Sequence, residues 1–410
     1  MGFTNTLYTN DNLFILNGLN SNLVDLIYLD PPFNSKRVYS APIGSEAAGA
    51  SFKDMWTWQD VNGEYLNTLA HNFPVLAEYI ANTGAIHSKA MKAYLTYMAQ
   101  RIIEMHRILK DTGSLYLHCD PTASHYFKVL LDEIFGKNSF RNEIIWCYKR
   151  PSTPKQRQLP RLHDVIFWYS KGKKWTFNGD KIRIPYAKSS LDRAGYAANM
   201  SKMTDGGVVE LKEGGKLPED WWDIPMLKGN SKESTGYPTQ KPLALLHRII
   251  KVSSNENDIV MDPFCGCATT CVAAQQLCRK WIGIDIEKQA ADILVRRLSE
   301  DANMFKDFIN IESIPQRTDI QIIEPTKSVK ERLYKEQNGL CNACGNKFDI
   351  LNLEIDHIIP KSKNGGNYYE NYQLLCGSCN RIKGDRPMEY LRLKIKTRKE
   401  LLKDKIIFGE

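Results

Sequence analysis

The sequence contains no apolar run of the roughly 18 residues that a membrane-spanning helix requires. Its N-terminus lacks the charged, apolar and small-residue segments of a secretory signal. No membrane partner is therefore expected, and the expected location is cytoplasmic. There is no internal repeat and no low-complexity tract, which excludes a solenoid or a disordered linker protein. A disulfide framework is also missing. Of ten cysteines, four form two CxxC pairs with metal-ligand spacing, and Cys265, Cys267, Cys271 and Cys278 cluster without such pairs. With 42% hydrophobic and 25% charged residues the 410-residue chain has ordinary globular composition and room for two or three domains. A net charge of +8 permits a nucleic-acid partner without identifying one.

Val24 to Asp30 (VDLIYLD) is a nearly continuous apolar run ending on a carboxylate, which predicts a strand buried on both faces. Pro31-Pro32 stops it. A helix is expected from about Ser88 to Leu109, with an apolar stripe of Met91, Tyr94, Leu95, Met98, Ile102, Met105 and Leu109. Ser114 to Asp120 reads as a second strand that ends on an acid. From about Trp146 to Thr235 the pattern breaks into short aromatic and basic pieces. Alternation returns with a helix Leu243 to Ser253 and a strand Ile259 to Asp262. A helix from about Thr269, a strand Trp281 to Asp285 and a helix Lys288 to Ala302 complete it. This order implies an α/β fold, a Rossmann-like, mostly parallel sheet with helices on both faces. Ile314 to Thr326 reads as a linker, with the cysteine domain beyond it.

Asp30-Pro31-Pro32-Phe33 sits at the carboxyl end of a predicted strand, where open α/β sheets bind ligands. The prolines remove two backbone donors, so the turn presents acceptors, and Asp30 adds two more. Acceptors gripping both hydrogens of an exocyclic amino group would favour a pyramidal nitrogen and aim its lone pair at an electrophile. Phe33 offers a flat face for stacking a base. A strand-terminating turn with Phe33 in the core is the plainer alternative. Asp262-Pro263-Phe264-Cys265-Gly266 lies between a strand and a helix, and Asp285 ends the next strand. Gly266 lets backbone approach a ligand, and the later acid suits ribose hydroxyls. Without the further glycines of GxGxxG a pyrophosphate is poorly served. A ligand with a ribose and no phosphate, such as S-adenosylmethionine, fits better.

These motifs resemble the amino-group DNA methyltransferases of the permuted order, in which DPPF precedes DPFxGxGTT. Thr239-Gln240-Lys241-Pro242 is similar to the TQKP element of that family, and Ala268 stands where its second glycine is usual. The resemblance covers about residues 5 to 300, with about 146–235 as a target-recognition region. It implies that Asp30, Pro31, Pro32 and Phe33 hold a flipped base, and that Asp262, Phe264, Gly266, Asp285, Lys241 and Gln240 serve the cofactor. It also implies double-stranded DNA as substrate and a possible homodimer. Lys149 to Arg193 carries twelve Lys/Arg against three Asp/Glu, interleaved with Trp168, Tyr169, Trp175 and Tyr186. That makes Lys149, Arg150, Arg157, Arg161, Lys171, Lys173 and Lys174 candidate DNA contacts. A solvated basic surface is the alternative.

Cys341-x-x-Cys344 and Cys376-x-x-Cys379 suit a structural Zn²⁺, and Asp356-His357 lies between them. The tail resembles a four-cysteine HNH endonuclease over about Arg332 to Arg386, a ββα-metal domain. The resemblance implies that His357 activates water and that Asp356 and Asn380 hold a catalytic Mg²⁺ or Mn²⁺. Asn371 would pin the loop and orient His357, and Arg381 and Lys383 would grip phosphate. The expected domains are 1–313 for methyl transfer, 314–326 as linker and 327–410 as nuclease. Asp rather than Ser before the prolines tilts the methyltransferase resemblance towards the N6 of adenine. An N4-cytosine target, or a methyltransferase whose zinc tail only binds DNA, are the alternatives.

Overall fold

The computed structural model describes residues 5–34, 37–42, 45, 47, 51–57, 61, 69, 73–149, 157, 159–192, 211–300, 308–363, 365–386, 391, 394 and 395. Two compact units emerge. The first comprises Met1–Asn12, Ser21–Asp54 and Met105–Ser313, and the second Leu13–Asn20, Met55–Glu104 and Ile314–Glu410.

In chain order the strands of the first unit are β1 (Asn5–Thr9), β2 (Val24–Leu29), β3 (Arg37–Ser40), β4 (Ser51–Asp54), β5 (Leu109–Cys119) and β6 (Phe140–Cys147), then β7 (His163–Ser170), β8 (Trp221–Asp223), β9 (Ile259–Asp262), β10 (Lys280–Asp285) and β11 (Phe308–Ile311). Among the described residues one sheet takes the order β11-β1-β10-β9-β2-β5-β7-β6-β8, with β3 and β4 as a separate antiparallel pair. The sheet is mostly parallel, as expected. Only β7 runs against its neighbours β5 and β6.

All six residues of β2 are buried, which its apolar run requires. Asp25 within it would be costly there without partners. Its carboxylate accepts from Lys110 Nζ at 2.8 and 2.9 Å and from the Ile259 backbone N–H at 2.9 Å. Lys110 belongs to β5 and Ile259 to β9, so the charge fixes β2 between these two neighbours. The helix Lys89–Ile108 buries the expected stripe from Met91 to Met105, and the chain turns directly into β5 at Leu109. Asp120 does not end a strand. It caps the helix Pro121–Phe135, accepting from Ala123 N at 3.0 Å with Pro121 at the first helical position.

The segment from 146 corrects the sequence reading. Its aromatic pieces are not irregular: β6, β7 and β8 extend the main sheet. Trp168 and Tyr169, expected among aromatics interleaved for DNA contact, are 6% and 0% exposed. Trp168 Nε1 donates to Ser114 Oγ at 3.0 Å, and its ring stacks on Tyr116. Tyr169 donates to Asp132 at 2.7 Å. An aromatic strand buried on both faces has no polar alternation to betray it.

In the second unit, β12 (Leu353–His357) pairs antiparallel with β13 (Tyr372–Cys376), followed by the helix Gly377–Lys383. Val329, Leu333, Leu353, Leu374 and Leu375 belong to its core. Residues 312–326 form neither helix nor strand. Two hydrogen bonds tie Ile323 to this unit, Ile323 N to Asn367 O at 2.8 Å and Tyr372 Oη to Ile323 O at 2.7 Å. Among the described residues no helix is long and apolar enough to cross a membrane.

Trp168→Ala is expected to destabilise the protein by about 3–5 kcal/mol, as a large buried aromatic does when truncated. Denaturant titration checks this. A wild-type unfolding midpoint would restore Trp168 to the surface.

Candidate active sites

The strand order brings Asp30, Asp262 and Asp285 to the carboxyl edge of three adjacent parallel strands, β2, β9 and β10. Asp30 Oδ2 accepts from Lys241 Nζ, whose ammonium also lies 5.3 Å from the centre of the Phe33 ring. Asp30 Oδ1 is buried and has no hydrogen-bond partner among the described residues. A buried, unfilled carboxylate oxygen is costly in a finished core and useful in a site that awaits a donor. Pro31 is buried, and Phe33 is partly exposed beside it.

Around Asp30 lies a set of side chains that the sequence reading did not single out. Tyr28 Oη is 2.8 Å from His118 Nδ1, and His118 Nε2 is 3.1 Å from Asp164 Oδ2. Tyr148 donates to Asp164 Oδ1 at 3.1 Å. His118 Nδ1 comes within 4.0 Å of Asp30 Oδ1. Burial, and then the charges of Asp30, Asp262 and Asp164, hold the Tyr28 phenol well above its usual range. Burial alone would raise the Asp164 carboxyl, but the hydrogen bond and charge of His118, with Lys241 and Tyr148, bring it below its ordinary value. The signal in the sequence was strand parity. Tyr28 and Asp30 are two apart, as are Tyr116 and His118, and so share faces. Asp164 joins them only through β7, opposite Trp146 of β6.

The loop after β9 is organised from within. Asp262 Oδ1 accepts from Phe264 N at 3.0 Å and Oδ2 from Thr270 Oγ1 at 2.5 Å. Burial raises its carboxyl from 3.8 to about 7. Asp285 accepts from Gly266 N at 2.7 Å and Glu287 N at 2.9 Å. Gly266 has φ +50, and a Cβ there would stand 3.1 Å from the Tyr237 ring. Ala268 also adopts the left-handed conformation, φ +57. Alanine therefore occupies the place of a glycine at a backbone cost of roughly 1–2 kcal/mol. Arg297 braces the turn, donating to Cys267 O at 2.6 Å and Thr269 Oγ1 at 2.9 Å. Gln240 faces its own loop. Its Oε1 accepts from Thr235 N and Oγ1 at 2.9 and 2.8 Å, and its Nε2 donates to Glu233 O at 2.7 Å.

In the second unit the Sγ atoms of Cys341, Cys344, Cys376 and Cys379 lie within 4.8 Å of one another, a cluster that suits one tetrahedral zinc. Asp356 is 9% exposed and both its oxygens are engaged. Gln373 Nε2 donates to Oδ2 at 2.8 Å, and Lys383 Nζ stands 3.0 Å from Oδ2 and 3.2 Å from Oδ1. Asn371 pins the loop after β12 through Ile359 N, Ile359 O and Gly366 O at 2.8, 3.1 and 3.1 Å. The partner of His357 Nε2 is Asn367 Oδ1 at 2.9 Å instead, and Asn367 donates to both oxygens of Glu324 at 2.9 Å. Asn380 donates to Glu354 Oε2 at 2.6 Å.

Of the basic residues expected on DNA, Lys149, Arg157, Arg161, Lys173, Lys174 and Arg381 are exposed, and Arg150 lies outside the described residues. Two depart from expectation. Lys171 donates to Asn22 Oδ1 and Leu109 O, both at 2.7 Å, so its ammonium closes the turn into β5. Lys383 is fully buried, and its ammonium serves Asp356 and the His357 carbonyl rather than phosphate.

Residues 24–296 match the DNA methylase family and residues 341–386 the HNH endonuclease family. The type II methyltransferase M.HpaI of Haemophilus parainfluenzae is 31% identical over 212 residues, 52% of this chain and 62% of that one. The DNA adenine methyltransferase YhdJ of Escherichia coli (strain K12) is 32% identical over 218 residues, again 52% of this chain and 70% of that one. The chain thus spans somewhat under two thirds of the first relative's length. Among solved structures, the cytosine-N4-specific PvuII DNA methyltransferase is 14% identical with a TM-score of 0.45, covering 74% of this chain and 89% of that one.

Asp262→Asn retains an acceptor for Phe264 N and a partner for Thr270 while removing the charge. Because the folded carboxyl titrates near 7 against 3.8 when unperturbed, the wild type loses stability relative to the variant as pH rises between those values. Above that window the gap is constant. Melting temperatures of both proteins from pH 4 to 8 test this, and a pH-independent gap would contradict it.

Proposed function

This chain belongs to the DNA methylase family and carries an HNH endonuclease domain, and from that premise we propose that it methylates N6 of adenine in duplex DNA and cuts DNA with the second domain. The observation that carries the first part is the unfilled Oδ1 of Asp30 beside Phe33, on the same sheet edge as the Asp262–Asp285 loop. When bound, S-adenosylmethionine supplies an electrophilic methyl group on a sulfonium sulfur. Asp30 Oδ1 and the carbonyl of Pro31 accept the amino hydrogens of a base swung out of the duplex. Phe33 stacks on that base. Lys241 holds Asp30 in one rotamer. As N6 gains its methyl group, Asp30 Oδ1 is the acceptor for the proton it sheds. Gly266 and Phe264 line the cofactor side, while Asp262 and Gln240 act by holding the loops that present them. Asp285 holds Gly266 through Oδ2 and keeps a second lone pair on each oxygen for ribose hydroxyls.

Adenine is favoured by Asp ahead of the two prolines and by YhdJ, a DNA adenine methyltransferase, among the relatives. For the second domain, the four-cysteine cluster holds structural zinc, His357 activates water, and Asn367 with Glu324 orients its ring. Asp356 and Asn380 hold Mg²⁺ or Mn²⁺. Restriction-modification is the role that fits a methylase and a nuclease on one chain. A single nuclease copy cuts one strand, so double-strand cleavage requires a homodimer or two binding events.

Asp30→Ala should abolish methyl transfer with cofactor affinity retained in calorimetry. Nucleoside mass spectrometry of DNA treated with the wild type should give N6-methyladenine. N4-methylcytosine would replace the target and keep the mechanism.

Freshly purified protein should contain one zinc per chain by elemental analysis, and Cys376→Ser should lose it while methylation persists. Mg²⁺-dependent cutting or nicking should be weaker on premethylated DNA and absent in His357→Ala, with methylation intact. Equal cutting of both substrates would remove the restriction-modification role. No cutting at all would leave the tail as a zinc-stabilised DNA clamp.

A further inference from the structure

Asp30 can grip an amino group only if its buried Oδ1 stays empty, and one neighbour could fill it. His118 Nδ1 stands 4.0 Å away. A proton on that nitrogen would set a donor beside Asp30 Oδ1, beyond hydrogen-bond reach at 4.0 Å but near enough for a small shift of the ring to close the acceptor to substrate. What prevents this is the pattern of bonds on the ring. Tyr28 is kept as a phenol and has a hydrogen to give, and its oxygen lies 2.8 Å from Nδ1. On the other side Asp164 Oδ2 is an acceptor 3.1 Å from Nε2. Tyr148 fills Asp164 Oδ1 at 3.1 Å, leaving Oδ2 for the ring. In a neutral imidazole these two partners agree on one tautomer, with the proton on Nε2. The ring cannot readily turn over. His118 is fully buried, edge-on to Trp146 at 5.5 Å, and Trp146 is itself anchored through Nε1 to Ile224 O at 2.8 Å.

We propose that Asp164 is a positioning residue for methyl transfer: it holds His118 in the tautomer whose Nδ1 bears no proton, which keeps Asp30 Oδ1 open for the substrate's amino group. The inference rests on Asp30 as the group that grips the base. His118 touches neither substrate nor cofactor in this scheme. Its ring lies 5.7 Å from that of Phe33, so it also backs the stacking face. Asp164→Asn reverses the instruction. Tyr148 steers the amide oxygen to itself, the amide nitrogen then faces Nε2, and the ring proton moves to Nδ1 beside Asp30.

The test uses the full chain labelled with ¹⁵N-histidine, with His118→Gln to assign the signal, alongside steady-state methylation of duplex DNA. The wild-type ring should carry its proton on Nε2, and in Asp164→Asn on Nδ1. The variant's kcat should fall about tenfold, the worth of one hydrogen bond made in the transition state, with cofactor Kd and DNA KM nearly unchanged. A wild-type proton on Nδ1 overturns the proposal without any variant, which settles the matter should Asp164→Asn prove unstable. Wild-type kcat in Asp164→Asn while Asp30→Ala is inactive also overturns it, as does a parallel loss of cofactor affinity, the mark of a merely structural role. Full activity in Asp30→Ala removes the reading of Asp30 itself, and this inference with it.

Discussion

The ion pair between Lys241 and Asp30 is the interaction on which the proposed methyl-transfer site depends. Desolvation and like charge both disfavour ionised carboxylates gathered at a buried sheet edge. Asp262 shows the result: with no cation paired to it among the described residues, burial raises its carboxyl to about 7. Lys241 reaches Asp30 because its loop is tied shut. Gln240 binds Thr235 and the Glu233 carbonyl, and Glu233 Oε1 accepts from Leu243 N at 2.7 Å where the helix Leu243–Ser253 begins. A helix start, a loop closure and the placement of Lys241 on Asp30 are therefore one device.

The acids of this edge differ in what their partners leave over. Asp262 gives both oxygens to its own loop. Asp285 takes two backbone N–H groups and keeps further lone pairs. Asp164 is filled by His118 and Tyr148. Among the described residues, Asp30 alone of these four retains a buried oxygen with no hydrogen-bond partner. Burial raises the Asp285 carboxyl as it does that of Asp262, although each accepts a backbone N–H that opposes the shift. Chemistry is thus assigned by the hydrogen-bond inventory of each carboxylate rather than by residue type. The left-handed Ala268 fits the same account, since Arg297 and the Ala268 N to Cys265 O bond of 2.6 Å hold the turn against its preference.

Acids at or one residue beyond a strand's end were legible because the pattern is local. Asp30, Asp262 and Asp285 needed only an apolar run and its boundary, and the helix Leu243–Ser253 falls where its periodicity places it. His118 and Asp164 were not legible, being 46 residues apart and joined by an antiparallel strand with no alternation. Charge counting misjudged Lys171, and the resemblance misjudged Lys383, for a related reason. A lysine reads as basic wherever it stands, and only packing shows whether its ammonium faces water or a carbonyl. Asn371 was legible as a loop pin, but the partner of His357 was not. Asn367 lies in the loop between β12 and β13, and Glu324 lies in a stretch that composition marks as a linker.

The two units each pair a buried lysine with an aspartate, and the difference between the pairs bears on mechanism. Lys241 takes one oxygen of Asp30 and leaves the other open, so the acid can act at once on an incoming donor. Lys383 lies between both oxygens of Asp356, and Gln373 adds a third bond. A divalent cation and an ammonium compete for the same lone pairs, and a carboxylate so enclosed yields them only at the cost of stranding a buried lysine. Glu354 lies two residues away on the same face of β12, is exposed, and already meets Asn380 at 2.6 Å. An exposed carboxylate next to an amide oxygen meets the demand of a hard cation for oxygen ligands with little desolvation. A cation shared by Asp356 and Asn380, as proposed, must therefore displace the Lys383 ammonium from one aspartate oxygen, and the exposed Glu354 carboxylate stands beside Asn380 as a further oxygen ligand.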